Sequence, residues 1–166
     1  MSTTPFEEAY IAASRRCSRS EQCASDLKTK LKAYELSESE WEKLFERLTA
    51  ENYLDETRYC YAFINDHIRL SKWGKRKIIL ALRTKGLNPA SFQHMLDDID
   101  ESEYKKGLME LLKKQHSLNQ KKPHMHQKQK LFQFALQRGF EPNLIQQCVN
   151  SIIGPTNAFD EELQDF

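Results

Sequence analysis

The chain has 166 residues, with five Gly, five Pro and four Cys, 39% apolar and 30% charged residues, and a formal net charge of +1. Apolar content at this level supports an adequate but thin core, while so few glycines argue against an all-β protein and against a Gly-rich phosphate loop. No stretch approaches the roughly 18 consecutive apolar residues of a membrane span, and the N-terminus lacks a signal-peptide apolar core, so an all-α cytoplasmic protein is expected.

In chain order, Thr4-Pro5-Phe6-Glu7 reads as a capping box with proline at the first helical position, predicting a helix to about Arg16. Ser18 with Glu21 reads as a second box. It predicts a helix carrying Leu27 and Leu31 and ending near Leu36. Ser37 with Glu40 is a third box, opening a helix through Trp41, Leu44, Phe45 and Leu48. Asp55 then caps a helix whose apolar face holds Tyr59, Ala62, Phe63 and Leu70. After a break at Lys72-Trp73-Gly74 the period resumes with Ile78, Ile79 and Leu82. It stops at Gly86, followed by Leu87 as the apolar residue of a Schellman-type end. Asn88-Pro89 predicts an immediate helix restart. Tyr104, Leu108, Leu111 and Leu112 share one face of the next helix. The stretch from Gln115 to Lys130 is polar, carries Pro123 and has no acidic residue, so it reads as a loop leading into a basic helix start. Beyond Ile153 the chain becomes a short acidic tail.

An internal repeat orders these elements. Aligning Leu36 with Leu87 and Leu87 with Phe140 also aligns Leu27, Ile78 and Leu131, then Leu31, Leu82 and Ala135. In the following helix Trp41, Phe92 and Ile145 correspond, then Leu44, Met95 and Cys148. So many matches at helical positions indicate three tandem three-helix repeats, at residues 1–53, 54–99 and 100–153, with the acidic tail at 154–166. Where the later copies have Gly86 and Gly139 at the helix stop, the first has Glu35. A left-handed backbone there costs a non-glycine residue about 1 kcal/mol, so a different ending is expected for the first copy.

Charge alternates strongly beneath the near-zero total. Residues 1–54, 55–90, 91–112, 113–138 and 139–166 carry net charges of −2, +5, −4, +7 and −5. Two blocks this basic in a neutral chain suggest an anionic partner, against the plainer reading of solvated helix faces. Arg69, Lys72, Lys75, Arg76 and Lys77 bracket Trp73-Gly74, at the start of a helix where cations oppose the dipole unless an anion is met. Arg83 and Lys85 extend this set, Lys128 and Lys130 align with Lys75 and Lys77, and Arg15 and Arg16, with Arg19, precede the second helix of the first copy. Repeated basic turns suit a filamentous acidic partner or a nucleic-acid backbone. Trp73 reads as packing between helices, with stacking on a base as the alternative.

Catalytic chemistry finds no matching set. The spacings of Cys17, Cys23, Cys60 and Cys148 fit neither a zinc site nor a redox pair, so buried or half-exposed thiols are expected. His116, His124 and His126 stand in a lysine-rich stretch that repels a divalent ion. Asp97, Asp98, Asp100, Glu101 and Glu103 suit a helix end and the start of the next helix. No metal, no cofactor and no enzymatic activity are expected.

The stretches AASRRCSRSEQCASDLKTKL (12–31) and RYCYAFINDHIRLSKWGKRKIILALRTKGL (58–87) resemble the RecX regulatory proteins, which modulate the RecA recombinase. The resemblance covers about residues 7–153. In the second repeat it is carried by the arginine-led helix, Gly74 with its basic followers, Leu82 and Lys85-Gly86-Leu87. In the third, Lys130-Leu131 and Gln137-Arg138-Gly139-Phe140 carry it. It implies three tandem three-helix modules in an elongated, curved array that binds in the groove of RecA filaments on single-stranded DNA. It also implies inhibition of recombinase and ATPase activity, by blocking filament growth or promoting disassembly. A monomer is expected. Arg15, Arg16, Arg69, Lys72, Lys75, Arg76, Lys77, Arg83, Lys85, Lys128 and Lys130 would supply contacts to acidic protein surface or to DNA. The alternative is a DNA-binding helical module acting without RecA.

Overall fold

A computed structural model describes residues 2–121 and 123–154. The expected acidic tail, beyond Gly154, lies outside the described residues. Among those residues the secondary structure is nine α-helices and two short 3-10 turns, without a strand.

Helix α1 (Pro5–Arg19) begins as its sequence dictates, with Pro5 in the first turn and the Thr4 hydroxyl accepting the Glu7 N–H at 3.2 Å. It continues past Arg16 because Ser18 is not a cap. The Ser18 hydroxyl donates to the Ser14 carbonyl at 2.9 Å inside α1, and the Glu21 carboxylate is drawn to Arg58 at 2.9 Å. Helix α2 (Ala24–Lys30) therefore starts later than the Ser18–Glu21 pattern suggests, from Cys23, which offers no side-chain cap bond. Helix α3 (Glu38–Ala50) has the full reciprocal box. Ser37 accepts from the Glu40 N–H at 3.2 Å, and the Glu40 carboxylate accepts from the Ser37 N–H at 2.8 Å. Between α2 and α3 a 3-10 turn, Lys32–Tyr34, ends in Glu35 at φ 51° and ψ 40°. The first copy thus takes the same left-handed stop as the others, against expectation, and the tight turn imposes it on a non-glycine residue.

Helix α4 (Glu56–Arg69) is capped by Asp55, whose carboxylate accepts the Arg58 N–H at 3.0 Å. Helix α5 (Lys75–Thr84) ends in a full Schellman motif. The Leu87 N–H reaches Leu82 O at 3.1 Å, the Gly86 N–H reaches Arg83 O at 2.9 Å, and Gly86 sits at φ +82°. Asn88-Pro89 restarts the chain as a 3-10 turn, Pro89–Ser91, before the five-residue helix α6 (Gln93–Asp97). Helix α7 (Glu101–Leu118) is capped by Asp100. It extends well into the stretch expected to be a loop, leaving only residues 119–123 between it and α8 (His124–Gln137). A polar segment without acidic residues can still be helical, because Lys and Gln are good helix formers. Helix α8 closes with Gly139 at φ +90° and a second Schellman pair, Phe140 N–H to Ala135 O and Gly139 N–H to Leu136 O. Helix α9 (Pro142–Ile153) follows directly.

The described residues form two compact units, one from those up to 65 together with 81–95, the other from 66–80 together with those from 96 to 154. In the first, Ala9, Ala13, Leu27, Leu31, Trp41, Leu44, Leu48 and Leu54 form a buried cluster edged by Phe6, Tyr10 and Phe45. Its rim is tied by Arg47, which lies 3.5 Å over the Tyr10 ring and pairs with Glu7 and Glu51, while the Tyr10 hydroxyl donates to Glu51. In the second, Tyr104, Leu108, Leu112, Leu131, Ala135, Phe140, Ile145, Cys148 and Val149 are buried together. The aligned triplet Leu27, Ile78 and Leu131 is fully buried in every copy. Each such side chain contributes roughly 1.5–3 kcal/mol.

Candidate functional site

The basic turn at residues 69–77 lies wholly within the second unit. Its backbone is fixed by groups distant in sequence. The Gly74 N–H donates to Arg138 O at 2.7 Å, the Arg76 N–H to Gly139 O at 3.0 Å, and the Lys75 N–H to the Tyr104 hydroxyl at 2.9 Å. Tyr104 in turn donates to the Glu141 carboxylate at 2.8 Å, and the Arg138 guanidinium donates to Ser71 O at 2.8 Å. Burial first, and the Glu141 carboxylate after it, push the Tyr104 phenol well above its usual range, so it remains a neutral donor. The two turns touch backbone to backbone. A Cβ on Gly74 would collide with the Gly139 carbonyl group and Phe140 N, and one on Gly139 with Lys77. The first amides of α5 are thereby satisfied by the protein itself. The helix start is not an open anion seat.

This framework divides the expected contact residues into two groups. Lys75 faces inward: its ammonium is 3.0 Å from Glu101 and lies over the Tyr104 ring, with 16% of its side chain exposed. Lys72 reaches Glu110 at 3.7 Å from a left-handed backbone at φ 53°. Lys77 lies over the Trp73 indole at 4.3 Å, and that indole packs on His67 at 4.1 Å. Trp73 is half-buried in this stack, as the packing reading expects. Arg69 and Arg76 are different. Both are exposed and make no ion pair among the described residues. Arg69 and Lys72 also line a cavity of about 360 Å³ with Ile68, Lys106, Glu103 and Glu110.

The remaining candidates are not all gathered here. Lys128 and Lys130 sit in the second turn of α8 rather than at its start, because α8 begins at His124, one turn before the place the repeat alignment assigns. Lys130 is exposed and Lys128 half-exposed. In the first unit, Arg15 and Arg16 are exposed near the end of α1, and Arg83 is exposed on α5. Lys85 is committed to structure: its ammonium is 2.6 Å from Asp26, whose other oxygen accepts the Tyr59 hydroxyl at 3.1 Å. Burial raises the Asp26 pKa, but the Lys85 ammonium outweighs it together with the Cys23 and Tyr59 hydrogen bonds, and the net shift is downward.

Tyr104, Glu101 and Asp26 emerge as organisers only in three dimensions, since Tyr104 reads in sequence as one more apolar position, Glu101 as part of an acidic helix start, and Asp26 gives no sequence signal of its own. All four thiols are free, and burial pushes each of them up, Cys60 to about 11, which leaves them protonated and poorly nucleophilic at neutral pH. No cluster of His, Cys, Asp and Glu suited to a metal ion occurs among the described residues, and none of their helices is long and apolar enough to cross a membrane.

Fold and site together define a helical-repeat protein whose distinctive chemistry is charge displayed on an interlocked turn. The pattern for the second three-helix domain of RecX matches residues 55–91, and that for the third matches residues 103–149. The chain belongs to the RecX family of regulatory proteins. It is 26% identical over 159 residues to regulatory protein RecX of Clostridioides difficile (strain 630), covering 93% of this chain and 73% of that protein. It is 27% identical over 149 residues to RecX of Finegoldia magna (strain ATCC 29328 / DSM 20472 / WAL 2508), covering 89% and 73%. A crystal structure of regulatory protein RecX superposes with a TM-score of 0.78 at 20% identity over 87% of this chain and 72% of that one. RecX from Lactobacillus salivarius gives 0.74 at 17% identity over 89% and 96%. These likenesses establish the fold.

Proposed function

We propose that this protein is a non-enzymatic regulator that binds RecA recombinase filaments on single-stranded DNA and inhibits their recombinase and ATPase activities, modulating repair and recombination in the cytoplasm. Membership of the RecX family carries this reading. The exposed cations Arg15, Arg16 and Arg83 of the first unit and Arg69, Arg76 and Lys130 of the second fit it, because a filament on DNA presents repeated negative charge that exposed cations meet at long range. In the second unit Lys72, Lys75 and Lys77 serve this reading indirectly, by fixing the turn that displays Arg69 and Arg76, and in the first unit Lys85 is held by Asp26. The protein acts as a monomer on this reading, and single-stranded DNA is a secondary contact.

The test is the single-stranded-DNA-dependent ATPase rate of the cognate RecA, titrated with this protein at fixed moderate salt and followed alongside filament co-sedimentation. A falling rate with the protein in the pellet is the expected result. An unchanged rate with tight, steeply salt-dependent binding to bare DNA would replace it with the reading of a DNA-binding module independent of RecA.

A further inference from the structure

Around the interlocked turn, the outward-facing chemistry is not purely basic. Leu70 is 79% exposed and Leu80 67% exposed, and both lie in the same unit as the turn. Leu70 directly follows Arg69. Leu80 stands four residues after Arg76 on α5, so the two side chains share a helix face. The lysines between them are engaged within the protein, by Glu110, by Glu101 and by the Trp73 ring. Along the chain the turn is therefore flanked by exposed Arg and Leu residues, Arg69 and Leu70 before it and Arg76 and Leu80 after it, on a backbone held from Arg138, Gly139 and Tyr104.

We infer that this surface docks an acidic protein segment that also carries apolar side chains, rather than a nucleic-acid backbone. A phosphate backbone rewards charge and gives nothing for two solvent-exposed leucines, whereas a protein surface can pair its carboxylates with the guanidinium forks and bury the leucines beside them. Charge supports the choice: Arg69 and Arg76 have no carboxylate partner among the described residues, so a carboxylate-bearing occupant completes them. The rigid backbone lowers the ordering cost of such docking. This inference rests on the proposed function and specifies the partner chemistry at one of its surfaces.

The test compares the full-length wild type with the double variant Leu70→Ser/Leu80→Ser on the cognate RecA filament and, separately, on bare single-stranded oligonucleotide. Both substitutions are at exposed positions and should leave the thermal melting curve in place. The expected result is inhibition of the ATPase shifted to at least about tenfold higher protein concentration, at low and moderate salt alike, with oligonucleotide binding unchanged. Inhibition within about twofold of wild type, or equal weakening on filament and oligonucleotide, would overturn the inference. A wild type that fails to inhibit at all would instead remove the proposed function on which it rests.

Discussion

At the scale of single residues, two glycines that look alike in sequence carry different constraints. Gly86 is left-handed with open space where a Cβ would project, so Gly86→Ala should cost about 1 kcal/mol from backbone strain alone. Gly139 is left-handed and also pressed against Lys77, so Gly139→Ala must move backbone and should cost on the order of 3 kcal/mol or more. Chemical denaturation of the two variants checks the order. Asp26 supplies a second residue-scale expectation. Its carboxyl lies below the ordinary value when folded, so it contributes stability above the ordinary aspartate pKa of about 4 and loses it as pH falls through the lower folded value. Asp26→Asn should therefore lower the melting temperature at pH 7 by an amount that corresponds to roughly 1–2 kcal/mol, and the difference from wild type should shrink as pH falls below about 4. Melting curves from pH 7 to pH 3 measure this.

At the scale of elements, the decisive arrangement is a start and a stop locked together. Helix α5 begins against the end of α8, and the phenol of Tyr104 on α7 accepts one of the α5 amides while donating to Glu141. Tyr104→Phe removes an acceptor from a half-buried N–H and a donor from a carboxylate without altering any charge. It should speed hydrogen exchange at Lys75 about tenfold or more, corresponding to 1–3 kcal/mol of local opening, while overall helicity by circular dichroism stays constant. Unchanged exchange at Lys75 would show that the phenol does not hold the turn.

At the scale of the whole molecule, a net charge of +1 conceals blocks of opposite sign, and folding sorts those charges by use. Reversing Lys75 would strand Glu101 beside a second carboxylate and disturb the fold. Arg69→Glu/Arg76→Glu changes exposed groups only. That double variant should weaken co-sedimentation with RecA filaments about tenfold or more at low salt, with the deficit narrowing as salt screens it, and should keep its helical spectrum. Equal co-sedimentation of both proteins would remove these arginines from the contact surface.

The sequence alone determined the all-α class and the helical-repeat character of the chain, because burial at helical spacing leaves its period in the chain and Leu27, Ile78 and Leu131 fall on that period. It also determined the Ser37–Glu40 box and the glycine stops, since caps are local chemistry among residues a few places apart. It failed at Ser18–Glu21 and at Glu35 for the converse reason. Glu21 has a better partner in Arg58, far along the chain, and the geometry of a 3-10 turn overrides the intrinsic cost of a left-handed glutamate. Only the tertiary structure decided which cations of the basic turn look outward. Lys72 and Lys75 find carboxylates on α7 and Lys77 finds the Trp73 indole, while Arg69 and Arg76 remain in solvent. Sequence lists the charges, but pairing depends on distances that only the folded chain sets.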